Sequence, residues 1–171
     1  MKTALIAAIV LTLAISVAAQ NPQPTEPAST PVQASAQNPV LVIDKHTLDE
    51  HLGQLLPEAS SKGSAGATLV DYGSYKIQLS MRTEMGGAEV HAHWDDVMTV
   101  ERGSATLITG GTVVDGKTGE DGETHGSRIE GAQSQPINPG DVLTIRAGTP
   151  HQLILKPGTI YGAVVVKIHE P

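Results

Sequence analysis

Residues 91–103 read HAHWDDVMTVERG. Two histidines, His91 and His93, stand two apart beside two acids, and an alternating apolar run follows as far as Gly103. In a strand, residues two apart point to the same face and lie roughly 7 Å apart along the chain. Two imidazoles so placed converge on one metal ion, each bonding at about 2.0–2.1 Å. Glu89 falls on the same predicted face and is a candidate proton-transfer group. A pair of histidines needs partners from elsewhere, and the sequence offers two. Asp96 returns beside the histidines if a tight turn at Trp94-Asp95 reverses the chain. His151 follows residues 139–150, PGDVLTIRAGTP, a strand and a Gly-Pro turn that aims it at the start of a new strand.

The flanking sequence is patterned for strands. Ile77, Leu79 and Met81 alternate with Gln78, Ser80 and Arg82, and Ala88–His93 alternates again. Short apolar runs follow at Val97–Val100, Ala105–Ile108, Thr112–Val114, Val142–Ile145, Gln152–Leu155 and Ile160–Ile168. Glycine and proline punctuate them, a pattern that predicts an all-β sandwich or barrel. Alternation shows that the Gln78/Arg82 face differs from its opposite, without deciding which is inner. Asp115–Asn138 is polar and Gly-rich, and is expected to be a surface loop or a flap over a pocket mouth.

Ahead of the strands, Pro39–Asp44 reads as a short apolar strand. Thr47 and Glu50 form a capping box for a helix carrying Leu48, Leu52, Leu55 and Leu56. Pro57 is expected to end that helix, with a loop over Glu58–Gly66. His46 and His51 on this helix, and His125 in the polar stretch, read as solvated side chains.

The N-terminus has the form of a signal peptide: Lys2, an apolar run from Ala4 to Val17, and small residues at Val17-Ala18-Ala19 before Gln20. A membrane anchor is the alternative, but the run is short for a span and a Pro/Gln/Ser tract follows directly. The expected organisation is a signal peptide at 1–19, a disordered linker at 20–38 and one domain at 39–171, in a secreted or periplasmic protein. A chain of 171 residues suits one domain with a real core. Absence of cysteine excludes disulfides, thiolate metal sites and a cysteine nucleophile. A formal charge of −7 argues against nucleic acid or an anionic membrane as partner. With no phenylalanine and only Tyr72, Tyr75, Trp94 and Tyr161 as aromatics, the core must be aliphatic and a sugar-stacking pocket is hard to build.

The two segments together resemble the paired signatures of the cupin superfamily. Gly86, His91, His93, Asp96 and Gly103 stand in the positions of the first signature. Gly140, Ala147-Gly148-Thr149-Pro150 and His151 stand in those of the second, as PGDxxxIxAGTPHQ. The resemblance covers about Tyr75 to Lys167. The sequence departs from the pattern in four places. Asp96 replaces the usual Glu and lies closer to His93, Arg146 replaces a Pro, Leu155 replaces an Asn, and Gly86 is one residue nearer His91.

What the resemblance implies is a double-stranded β-helix, the jelly-roll barrel, here with a short N-terminal helix. It further implies one divalent transition metal inside, held by His91, His93, His151 and Asp96. Such a donor set suits Fe, Mn, Ni, Cu or Zn better than Ca or Mg. The expected function is an exported, mononuclear metal-dependent enzyme, dioxygenase-like or of isomerase/lyase type, acting on a small polar organic molecule. The alternative is a non-catalytic module that binds a small ligand. No nucleic acid and, after signal cleavage, no membrane are expected as partners; the resemblance also implies a homodimer.

Overall fold

The computed structural model describes residues 40–171; the predicted signal peptide and linker lie outside the described residues. The chain opens with Leu41 and Ile43 packed inward while Val40 and Val42 are exposed. This alternates as a strand does, but residues 40–44 join no sheet, so the expected first strand is absent. The helix α1 follows at Lys45–Lys62. Its N-cap is Asp44, whose carboxylate accepts the Thr47 amide at 2.8 Å, so the cap lies three residues earlier than the predicted Thr47 box.

Contrary to expectation, α1 runs through Pro57. A mid-helix proline costs about 3 kcal/mol. Burial of Leu52 before it and Ala59 after it, both on one packed face, favours continuing the helix. The helix ends at Gly63, whose amide bonds Ala59 O at 2.7 Å, so most of the predicted Glu58–Gly66 loop is helix.

Thirteen strands follow: β1 Ser64–Asp71, β2 Tyr75–Arg82, β3 Ala88–His91, β4 Trp94–Arg102, β5 Ala105–Thr109, β6 Thr112–Val114, β7 Lys117–Thr118, β8 Glu123–Gly126, β9 Arg128–Glu130, β10 Gln133–Ile137, β11 Val142–Ile145, β12 His151–Ile154 and β13 Tyr161–His169. The polar stretch expected as one loop thus contains four strands, β7 to β10. Its glycines form turns between short pairings, as where β8 lies antiparallel to β3 with Glu123 opposite His91.

The strands form a five-stranded sheet, β1-β2-β13-β4-β11, a six-stranded sheet, β10-β5-β12-β3-β8-β7, and a two-stranded ribbon, β6-β9. Pairing is antiparallel throughout. This is the expected all-β jelly-roll barrel with one helix. Two apolar clusters hold it together. Between the sheets lie Met98, Val100, Leu107, Ile137, Leu155 and Tyr161 with their neighbours. Outside the five-stranded sheet, α1 packs Leu52 and Ala59 over Leu69, Val70, Leu79 and Met81.

The clusters settle the orientation of β2. Leu79 and Met81 face the helix, so Gln78, Ser80 and Arg82 face the barrel interior, where they line a cavity of about 370 Å³. At the β4–β5 turn, Gly103 has φ +68, and a Cβ there would lie 2.2 Å from Ile160 O. Only glycine fits this close approach to the start of β13. Among the described residues, no helix is long and apolar enough to cross a membrane.

Candidate metal centre

Glu89 and His91 are two apart on β3 and share its inner face. On the neighbouring strand β12, His151 sits directly opposite Glu89. The Gly-Pro turn before it leaves His151 as the first residue of that strand, buried, with its ring centroid 5.0 Å from that of His91. One ligand atom from each of Glu89, His91 and His151 lies within 4.8 Å of the others, a group able to hold a metal ion.

The hydrogen bonds at the two Nδ1 atoms fix which ring nitrogens turn inward. His91 Nδ1 is bonded to the Glu123 carboxylate, leaving Nε2 toward the interior. His151 Nδ1 donates to the Thr149 carbonyl at 3.0 Å, leaving its Nε2 3.9 Å from Glu89 Oε2. A histidine whose second nitrogen is held by a carboxylate or carbonyl is oriented to ligate a metal through the other. Glu89 has its other oxygen, Oε1, 3.2 Å from an Arg82 guanidinium nitrogen.

Asp96 is buried on β4 of the opposite sheet. Its Oδ2 is 3.4 Å from His91 Nε2, and its Oδ1 accepts Lys167 Nζ at 2.8 Å. It lies beside the trio rather than in it. Burial works to raise the Asp96 pKa, but His91 and Lys167 outweigh it and hold the carboxyl below its ordinary range. Burial likewise works to lower the His91 pKa, and here the Asp96 and Glu123 carboxylates outweigh it, so the net shift is upward. For His151 burial prevails over the bond to Thr149, and the pKa falls.

The structure therefore gathers His91, His151 and the predicted proton-transfer residue Glu89, with Asp96 adjoining. It does not bring His93 to them. The expectation that His91 and His93 share a strand face is corrected: β3 ends at His91, and the chain bends at Ala92-His93 to cross from one sheet to the other. His93 is exposed in that bend, its ring stacked at 6.3 Å on His169. The predicted turn residues Trp94 and Asp95 instead open β4. Glu123 was not predicted. The clue available in the sequence was a carboxylate in a run of small polar residues, which says nothing of its pairing with His91. Lys167 and Arg82 complete the surroundings, and Arg82 was foreseen only as a residue of undecided face.

The barrel is an antiparallel jelly roll of two facing sheets. No protein-family profile matches the chain, and no curated protein matches it. Among solved structures it is similar to the DMSP lyase DddQ from Ruegeria pomeroyi, with 15% identity, 63% of this chain covered and a TM-score of 0.46. The match spans 48% of that lyase's length, about half. It is also similar to the polyketide cyclase RemF from Streptomyces resistomycificus, at 19% identity over 64% of this chain and 69% of that one, TM-score 0.45. A cupin superfamily protein from Desulfitobacterium hafniense is similar at 16% identity over 63% and 78%, TM-score 0.42.

Proposed function

We propose that this chain is an exported cupin that binds one divalent transition metal through Glu89, His91 and His151 and acts as an enzyme on a small polar organic molecule. The observation that carries this reading is the convergence of two oriented imidazole nitrogens and one carboxylate inside a cavity of about 370 Å³. Two imidazoles and a carboxylate suit Fe, Mn, Ni, Cu or Zn, and two-histidine, one-carboxylate sets leave coordination positions open. A metal held there supplies Lewis-acid polarisation of a substrate oxygen, within reach of dioxygenase, isomerase or lyase chemistry.

The chain's own residues do the rest. Glu123 and Thr149 fix the two rings. Arg82 steadies the Glu89 carboxylate. Asp96, held ionised by Lys167 and 3.4 Å from His91 Nε2, would serve as a proton acceptor beside the site. Met98, Leu107 and Leu153 add apolar surface to the lining of the same cavity and exclude water from part of a bound molecule.

The test is metal content by mass spectrometry on protein from the exported fraction, beside a His151→Ala variant. The expected result is about one transition metal per chain, lost in the variant. An N-terminus at Gln20 in the same material is the expected sign of export. No metal in the native protein, even after reconstitution with each of the five candidates, would overturn the reading and leave a non-catalytic small-ligand module.

A further inference from the structure

Arg82 is a cation of the cavity with donors to spare. A guanidinium carries five N–H groups, yet the contact made here is a single one, to Glu89 Oε1. Its Nε is buried and has no hydrogen-bond partner among the described residues. Lys167, by contrast, is committed to the buried Asp96. A Cβ on Gly86 would lie 2.6 Å from Arg82 Nη1, so the residue at 86 leaves room for the guanidinium and little more.

The charge balance points the same way. Three carboxylates, Glu89, Asp96 and Glu123, surround two cations, Arg82 and Lys167. A divalent metal converts that excess of one negative charge into an excess of one positive charge. A buried, uncompensated charge is costly, so the loaded site favours a ligand carrying one negative charge.

Glu89 also fixes the relation between the two binding elements. Its Oε1 faces Arg82 and its Oε2 faces His151, so the guanidinium and that imidazole lie against different oxygens of one carboxylate. Ser80 and Gln78 extend the polar wall from Arg82 along β2.

We infer that the substrate is a small monocarboxylate bearing a second oxygen close to its carboxylate. Arg82 takes the carboxylate through its planar fork, and the second oxygen lies at the metal. This rests on the metal-site reading given above. Arg rather than Lys suits the task because a guanidinium matches both oxygens of a carboxylate at once.

The test uses the full chain, titrated first by calorimetry with Fe(II), Mn(II), Ni(II), Cu(II) and Zn(II) in turn. Failure at that stage would overturn the metal reading and this inference with it. With metal bound, lactate and pyruvate are then titrated against their neutral counterparts lactamide and pyruvamide. The expected result is binding of at least one acid at least about tenfold tighter than its amide. That preference disappears in Arg82→Gln and shrinks in Arg82→Lys, each compared at saturating metal because Arg82 also steadies Glu89. The proposal is overturned if neither acid binds, if acid and amide bind alike, or if the preference survives Arg82→Gln at unchanged metal content.

Discussion

The two faces of β2 differ in kind. Ile77, Leu79 and Met81 lie under α1 on the outside of the barrel, and Gln78, Ser80 and Arg82 look inward. In a half-solvated antiparallel sheet the apolar face is the inner one. Here the helix caps the outside, and the polar face is free to line a cavity. One strand thus serves stability on one side and chemistry on the other. The difference teaches that a polar stripe in a covered sheet marks a site rather than solvent.

That division is open to direct attack. The largest effect falls on the inner side: His151→Ala abolishes metal binding, read as loss of metal by mass spectrometry, with the barrel still folded by circular dichroism. On the outer side, Leu79→Ala empties a position only 2% exposed and destabilises the fold by about 2–5 kcal/mol in chemical denaturation. Metal stoichiometry in the surviving folded protein stays unchanged. If Leu79→Ala lost the metal at a denaturant concentration where it remains folded, the two faces would not be separable. Glu123→Gln keeps the shape of the side chain but removes the charge that orients His91, and weakens metal affinity by about 10–100-fold.

A smaller effect comes from pH. The His91 pKa lies above its ordinary 6.5, so its protonated form stabilises the metal-free fold fully below that value and loses the contribution as pH rises through the folded value. The Asp96 pKa lies below its ordinary 3.8, so its contribution is present above 3.8 and fades as pH falls through the folded value. Metal requires the neutral ring and displaces the proton. Affinity is therefore expected to rise by up to about tenfold per pH unit below the His91 pKa and to level off above it, measured by competition with a chelator. The smallest effect belongs to His93→Ala, exposed in its bend: stability within about 0.5 kcal/mol and metal content unchanged.

How much of this was legible in the sequence depends on how local the signal was. The turn ending in Thr149-Pro150 and the apolar run after His151 carried their own boundaries, and the structure places His151 at the head of β12 as expected. Period-two alternation found β2, β11 and β13 within a residue or two. The bend at Ala92-His93 has neither glycine nor proline, so alternation ran on past the true end of β3 and put His93 beside His91. The same alternation placed Glu89 on the right face, but only the register of β3 against β12 sets it opposite His151. Glu123 lay in a stretch whose glycines resembled a loop, and its role depends on pairing with a strand more than thirty residues earlier. Pro57 misled because a local helix-breaking preference is weaker than the burial of a whole helical face.

The Ala92-His93 bend has an optical consequence. Trp94, the sole tryptophan of the chain, begins β4 at that point. Its indole meets the His169 ring edge-on at 4.7 Å and lies under Lys76 Nζ at 4.8 Å. All indole emission therefore originates at the hinge that joins His91 on one sheet to Asp96 on the other. Any shift of these strands as the centre fills is written into the protein's own fluorescence, without a label.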